Sequence, residues 1–187
     1  MRNIYIVLTQ TNSILARMIK RYTHKEYSHV SIALDENLQE MFSFGRLNPY
    51  NPFVGGFVRE SPDFGTFKRF YKTRTKILAL SVSEEQYNRI KRNIMRISLD
   101  KGSYRFNIIG MFAVALRIRI RRNKYFYCAE FVKHILESSD VDIKLPELIK
   151  PEDFDDIKGS VEIYSGVLRD YKTQRLNLGK KRTLQFK

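Results

Sequence analysis

Cys128 is the only cysteine in the chain, and its surroundings favour a nucleophilic role. The aromatic run 125–127 ends at this cysteine, and an apolar pattern with helical spacing continues through Val132, Ile135 and Leu136. The sulfur is therefore expected in the first turn of a helix, where unpaired N–H groups and the helix dipole favour the thiolate. A second interpretation stays open, in which Cys128 is a small apolar residue that begins the core-facing stripe of the helix.

His29 is the histidine best placed to act as the base for such a thiol. It lies in the alternating segment 28–34, which predicts a strand, and it shares one face of that strand with Ser31 and Ala33. A face of small residues leaves room for another side chain to pack against the imidazole. A cysteine at a helix start, facing a histidine on a strand, lets the imidazole take the thiol proton or pair with the thiolate.

The residue that orients the imidazole depends on the register of the hairpin predicted after His29. If residues 35–37 form a three-residue loop, Leu34 pairs with Leu38, and His29 then pairs with Ser43. The Ser43 hydroxyl can accept a hydrogen bond from the imidazole N–H.

Two other side chains compete with Ser43 for this role. Glu40 is the stronger acceptor, but this register places it on the opposite face of the strand, and a one-residue slip would reverse that. We rank Ser43 first, Glu40 second and Gln39 third. An ordinary strand serine is the alternative interpretation of Ser43.

Other residues are candidates for contacting the substrate. The backbone N–H of Cys128 can stabilise an oxyanion, with Gln10 and Tyr127 as side-chain helpers. Each of those two side chains has a structural alternative, as a polar group at a strand end or as a packed aromatic ring. Arg46 is a candidate for binding an anionic group. One cysteine and three histidines leave few options for a metal site, so we expect neither a metal nor a cofactor.

Hydrophobic periodicity predicts the elements that position these residues. Strands are expected at residues 3–9, 28–34, 38–44, 75–82, 160–164 and 166–169. Helices are expected after Asn12 or Ser13, from the capping box at 83–86, over 104–116, and over 128–137. Residues 45–70, rich in Gly, Pro and Asn, are predicted to form a long irregular binding loop or lid.

These elements predict one α+β domain, residues 1–170, with an antiparallel sheet of about five to six strands packed against helices. A basic tail follows at residues 171–187. A 43% share of hydrophobic residues supports a folded globule rather than a disordered chain.

Three segments resemble the circularly permuted papain-fold amidases of the NlpC type, the group that includes the lecithin–retinol acyltransferase-like enzymes. The histidine segment of that family, SHVGIYLGD, is similar to residues 28–35, and its cysteine segment, YCSELV, is similar to residues 127–132. A third segment of the family, YDYLGL, is similar to residues 104–110. The histidine strand precedes the cysteine helix, which is the permuted order, and the resemblance covers residues 3–138.

The resemblance implies a permuted papain-like fold in which Cys128 attacks an amide or ester of a peptide or lipid. His29 would act as the base, and a thioester would pass to water or to another acceptor, so hydrolase and acyltransferase both remain open. The chain departs from the family at Met41, because a Glu, His or Gln usually stands about twelve residues after the histidine.

A second hypothesis is a catalytically inactive papain-like domain that binds an anionic membrane or nucleic acid through its basic surface. The formal charge of +14 and the basic residues within 117–124 and the tail favour contact with polyanions. No nucleic-acid-binding module is recognisable, so no specific nucleic acid is expected. The hydrophobic loop beside basic patches favours lipid substrates and an anionic membrane surface. We expect a monomer and, without a membrane span or signal sequence, a cytoplasmic location.

Overall fold

A computed structural model describes residues 1–11, 13, 26–115, 118, 120, 122–171 and 173–174 of the chain. The strands are β1 (Arg2–Gln10), β2 (His29–Ala33), β3 (Met41–Asn48), β4 (Asn51–Glu60), β5 (Arg74–Val82), β6 (Arg105–Phe106), β7 (Tyr125–Phe126) and β8 (Ser160–Val167). The α-helices are α1 (Gly65–Arg69), α2 (Glu84–Leu99), α3 (Ile108–Ala115) and α4 (Cys128–Glu137), and short 3-10 turns occupy Lys101–Ser103 and Pro151–Phe154.

Six strands form one sheet in the order β4-β3-β2-β1-β5-β8, and each neighbouring pair in it is antiparallel. This arrangement confirms the predicted α+β class with an antiparallel sheet packed against helices. The two short strands β6 and β7 pair in parallel as a separate ribbon.

Both faces of the central strand β1 are covered. Ile4, Ile6 and Leu8 face the main core, whereas Tyr5 and Val7 face a smaller second core. A strand that is buried on both faces has a continuous run of apolar residues rather than alternating apolar and polar residues. The sequence of β1 therefore reflects its central position in the sheet.

Helices α2 and α4 cover the main-core face of the sheet. Tyr87, Ile90, Ile94 and Ile97 are the buried residues of α2, at the helical spacing that the sequence predicts. The predicted capping box is confirmed, since the Ser83 hydroxyl accepts from the Gln86 N–H and the Gln86 side chain accepts from the Ser83 N–H.

The prediction of an irregular loop over residues 45–70 is wrong. Strand β3 continues to Asn48, and β4 returns antiparallel to it before helix α1. Asn48 ends β3, and Pro49 and Tyr50 form the tight turn, in which Asn48 Oδ1 accepts from the Tyr50 N–H at 2.8 Å. Glycine is needed within β4, because a Cβ at Gly55 would lie 2.6 Å from the Phe106 ring.

The predicted register of the β2–β3 hairpin is also wrong, by two residues. Leu34 pairs with Glu40 rather than with Leu38, through a 3.0 Å hydrogen bond from the Leu34 N–H. The Asp35 carboxylate accepts from the N–H groups of Gln39 (3.1 Å) and Glu40 (2.6 Å), and these bonds close a five-residue loop. A shift of two residues leaves each side chain on its predicted face.

The helix predicted over residues 104–116 begins later than expected. Residues 105–106 form β6, and Asn107 caps α3 by accepting from the Gly110 N–H at 3.0 Å. The two short strands predicted near residue 160 form the single strand β8, with a register shift in its pairing to β5.

Some predictions fall outside the described residues. These are most of the helix expected after Asn12 or Ser13, residues 117, 119 and 121 of the basic stretch, and nearly all of the tail. No helix within the described ranges combines the length and the apolar character that crossing a bilayer requires.

Candidate functional site

Cys128 is the first residue of α4, as the aromatic-to-helical change in the sequence predicts. Tyr127 is the extended N-cap, and its N–H donates to the Glu130 carboxylate at 3.2 Å. The Cys128 side chain is buried, and its N–H is one of those that a first helical turn leaves without an internal acceptor. The thiol and a backbone donor therefore occupy the same helix start.

His29 begins β2 opposite Thr9 of β1, on the face that it shares with Ser31 and Ala33. Its side chain is about one-fifth exposed (21%). A Cβ at Gly45 would lie 3.3 Å from the His29 Cε1 atom, so the glycine leaves the space that the imidazole occupies. Phe67 of α1 flanks the ring, with 6.5 Å between the ring centroids.

Glu60, the last residue of β4, is the acidic partner of His29. Its Oε1 atom lies 3.0 Å from His29 Nε2, and the carboxylate is 9% exposed. Ser31 donates its hydroxyl to the other carboxylate oxygen at 2.5 Å. The geometry defines a largely buried imidazole–carboxylate pair held by β2 and β4, the two strands that flank β3, and by Ser31.

The electrostatics of the pair favour its charged form. Burial lowers the pKa of His29, but the Glu60 charge, then the Cys128 charge and a Cys128 hydrogen bond, outweigh burial and raise that pKa to about 10. Burial raises the pKa of Glu60, but the His29 charge and the hydrogen bonds from His29 and Ser31 bring it below its ordinary value. The raised pKa of His29 favours the imidazolium at neutral pH.

The predicted hydrogen bond between His29 and Ser43 is wrong. The two-residue register difference leaves Gly45 beside His29, and Ser43 lies fully buried next to the Glu60 carboxylate. Glu40 and Gln39 close the hairpin through their backbone N–H groups, and none of the described contacts joins their side chains to the imidazole. Sequence reasoning missed Glu60 because its strand was taken for an irregular loop.

One signal in the sequence could have located Glu60. The residue types of the Asn48–Asn51 segment are typical of a turn. A hairpin about this turn pairs β4 antiparallel with β3. The strand then ends with Glu60 opposite Met41, the family's usual position for the third residue. The resemblance implies a Glu, His or Gln at position 41, and in the structure the residue that pairs with Met41 on the neighbouring strand is Glu60.

The two side chains predicted to stabilise an oxyanion, Gln10 and Tyr127, have different surroundings in the structure. Gln10 is buried at the end of β1. Because side chains alternate along a strand, it lies on the same face as Leu8, which faces the main core. It remains a candidate. The Tyr127 hydroxyl donates to the Ile149 carbonyl at 2.7 Å and so anchors the following segment, and its oxyanion role stays a prediction.

Arg46 follows Gly45 on β3 and lies near the pair. Its guanidinium donates to the Ser13 hydroxyl at 2.7 Å. Burial, and next the charge of Arg69, lower its pKa. The anion-binding role of this half-buried cation stays a prediction.

His134 lies on the outer face of α4 and does not belong to this cluster. It stacks on Phe126, with 5.1 Å between the ring centroids, and burial lowers its pKa. It lines a cavity of about 680 Å³ together with Glu130, Lys133 and Glu137 of the same helix. Within the described part of the chain, no three His, Cys, Asp or Glu side chains are arranged to hold a metal ion.

No protein-family model matches this sequence, and a search of curated proteins finds no significant match.

Proposed function

We propose that the chain is a thiol-dependent hydrolase or acyltransferase of permuted papain-like fold, acting on an amide or ester. Two observations carry the proposal: the His29 imidazole lies 3.0 Å from the buried Glu60 carboxylate, and the Cys128 thiol at a helix start is among the groups that raise the His29 pKa. A thiol nucleophile, an imidazole base and a carboxylate that orients the base are the three groups that thiol acyl-transfer enzymes combine. The resemblance of residues 28–35 and 127–132 to the NlpC-type amidases supports the same conclusion.

The proposed reaction begins with attack of the Cys128 thiolate on the substrate carbonyl. A C–S bond forms, and the negative charge moves to the carbonyl oxygen, which the Cys128 N–H stabilises. The tetrahedral intermediate then collapses, its C–N or C–O bond breaks, and the His29 imidazolium gives its proton to the leaving nitrogen or oxygen. Glu60 holds the imidazole in orientation throughout.

The second half of the reaction removes the acyl group from sulfur. Neutral His29 takes a proton from water, an alcohol or an amine, which attacks the thioester carbonyl and releases the thiolate. Water makes the protein a hydrolase, and another acceptor makes it an acyltransferase. We place this activity in the cytoplasm, where a free thiol nucleophile stays reduced.

The experiment is trapping of the acyl-enzyme. Intact mass spectrometry after brief exposure to p-nitrophenyl acetate near pH 7 should show one acetyl group on the protein. Neutral hydroxylamine should remove this group, as it does from a thioester. Cys128→Ala should not acquire the labile group, and His29→Ala should acquire it more slowly.

A second candidate function rests on a different observation, the net charge of +14. In this function the domain is catalytically inactive and binds an anionic membrane surface or nucleic acid through its basic residues. Acetylation that is equal in wild type and Cys128→Ala, and resistant to hydroxylamine, would come from lysines and would favour this second candidate.

A further inference from the structure

Two arginines share one aromatic ring beside the candidate site. The guanidinium carbons of Arg46 and Arg69 lie 6.0 Å and 5.4 Å from the centroid of the Phe70 ring. Arg69 also lies over the Tyr50 ring, at 3.9 Å. Stacking on aromatic rings fixes the direction of a guanidinium and leaves its N–H edge available to a ligand.

No carboxylate neutralises these two cations. All 20 Asp and Glu residues lie in the described part of the chain, and none forms an ion pair with Arg46 or Arg69. The comparison with Lys76, another partly buried cation, is informative, because Lys76 lies 2.8 Å from Asp155 and 3.6 Å from Glu162. Arg46 is partly buried and Arg69 is exposed. Two nearby like charges without a counter-ion repel each other, and an anion between them removes that cost.

The charges of the two arginines act on each other. Burial lowers the pKa of Arg46, and the nearby charge of Arg69 lowers it further. The only described hydrogen bond of the Arg46 side chain goes to the neutral hydroxyl of Ser13. A planar guanidinium has five N–H donors, so Arg46 keeps donors for a carboxylate or a phosphate.

Arg46 is also close to the reacting groups along the chain. It directly follows Gly45, whose Cβ position lies 3.3 Å from the His29 ring. Arg46 and His29 therefore lie at the same end of the sheet, since β2 begins with His29 where the antiparallel strand β3 reaches Gly45 and Arg46.

We propose that Arg46 and Arg69 form an anion subsite that binds a carboxylate or phosphate group of the acyl substrate. The substrate part of this proposal rests on the proposed function, whereas the anion site itself does not. Arg46 contacts the anion directly, and Arg69, held over Tyr50, supplies the second charge.

The first experiment measures the site without catalysis. Isothermal titration with inorganic phosphate and with glutarate should show binding to the wild-type protein. Arg46→Gln and Arg69→Gln should weaken it by about 10- to 100-fold, the range for charge-assisted hydrogen bonds. Arg92→Gln, which removes an exposed arginine of α2, is the control and should leave binding unchanged. Equal binding in all four proteins would overturn the subsite.

The second experiment tests the substrate class with esters that share one leaving group. p-Nitrophenyl butyrate is the neutral probe, p-nitrophenyl hemiglutarate adds a carboxylate, and p-nitrophenyl 4-phosphonobutyrate adds a phosphate-like group. Wild type should prefer an anionic ester in kcat/KM, and the preferred one distinguishes carboxylate from phosphate substrates. Arg46→Gln should remove the preference, because it should lower kcat/KM for the anionic esters by a much larger factor than for the butyrate.

The outcomes separate the two proposals. Loss of kcat/KM by the same factor on all three esters in Arg46→Gln would overturn the anion role in substrate binding. If phosphate binding depends on Arg46 but wild type hydrolyses no ester through Cys128, the proposed function fails and the anion site stands.

Discussion

The third member of the candidate site is a carboxylate, and this determines its charge state. A serine beside His29 would orient the ring but would leave the imidazole near its ordinary pKa. Glu60 instead holds the ring at 3.0 Å and favours the imidazolium. Ser31 and Ser43 lie beside the carboxylate and help to keep it ionised.

The His29–Glu60 pair should contribute to stability in a defined pH range. The folded-state pKa of His29 is about 10, above its unfolded value of roughly 6.5. The contribution of His29 to the free energy of unfolding is therefore complete below about pH 6.5 and is lost as pH rises through about 10. The pKa of Glu60 is lowered, so its contribution is complete above its unfolded value of roughly 4.3 and is lost in acid. The pair is therefore strongest at about pH 5–6.5.

Thermal unfolding of Glu60→Gln and Ser43→Ala checks this argument. At pH 6 we expect Glu60→Gln to cost about 1.5–3 kcal/mol, the value of a hydrogen bond to a charged group, and Ser43→Ala to cost less. The Tm difference between wild type and Glu60→Gln should shrink towards pH 10. A difference that is constant from pH 6 to 10, or a larger effect of Ser43→Ala, would contradict the assignment of Glu60.

At the level of elements, the helix that carries Cys128 is tied to the helix before it. Asn107 caps α3 through its Oδ1 atom, and its Nδ2 group donates to the Glu130 carboxylate at 3.2 Å. Glu130 in turn accepts the N–H of Tyr127, the N-cap of α4. One buried asparagine therefore joins the two helix starts and positions the thiol.

Gly110 tests this connection, because a Cβ there would lie 2.2 Å from Asn107 Nδ2. Glycine to alanine within a helix usually stabilises by up to about 1 kcal/mol. For Gly110→Ala we expect the opposite sign, a loss of about 1–3 kcal/mol from displacement of a packed side chain. Chemical unfolding measures it, and Gly102→Ala, whose Cβ would have no neighbour within 4 Å, is the control. Equal effects of the two substitutions would contradict the role of Asn107.

The same elements show what sequence patterns can and cannot determine. Cys128 and His29 were found because each lies in a regular local pattern, a helix start and an alternating strand. Glu60 was not found, since its position depends on a hairpin turn and a register set by the Asp35 carboxylate in the preceding loop. Pairing between strands is a tertiary property, and side-chain alternation fixes only the face.

At the level of the whole molecule, the +14 charge is a property separate from the candidate site. All the acidic residues lie in the described part of the chain, and the tail from residue 171 adds basic residues with no acid. The predicted class and sheet followed from the apolar pattern and did not depend on this charge. Polyanion binding should therefore be independent of the thiol.

Binding to vesicles that contain an anionic lipid tests this separation. We expect binding at low ionic strength that weakens steeply with added salt, because surface charges are screened within about 10 Å at 0.1 M. Cys128→Ser should bind as wild type does. Salt-independent binding, or loss of binding in Cys128→Ser, would show that charge alone does not account for it.

The pH dependence of Cys128 alkylation is the most direct test of the central claim, that His29 activates this thiol. The chain has a single cysteine, so iodoacetamide labelling reports on it without ambiguity. In wild type the rate constant should remain high from pH 9 down to pH 6. In His29→Ala it should fall about tenfold per pH unit below roughly 8.5, as for an ordinary thiol. Two identical curves that both follow an ordinary thiol would contradict the account.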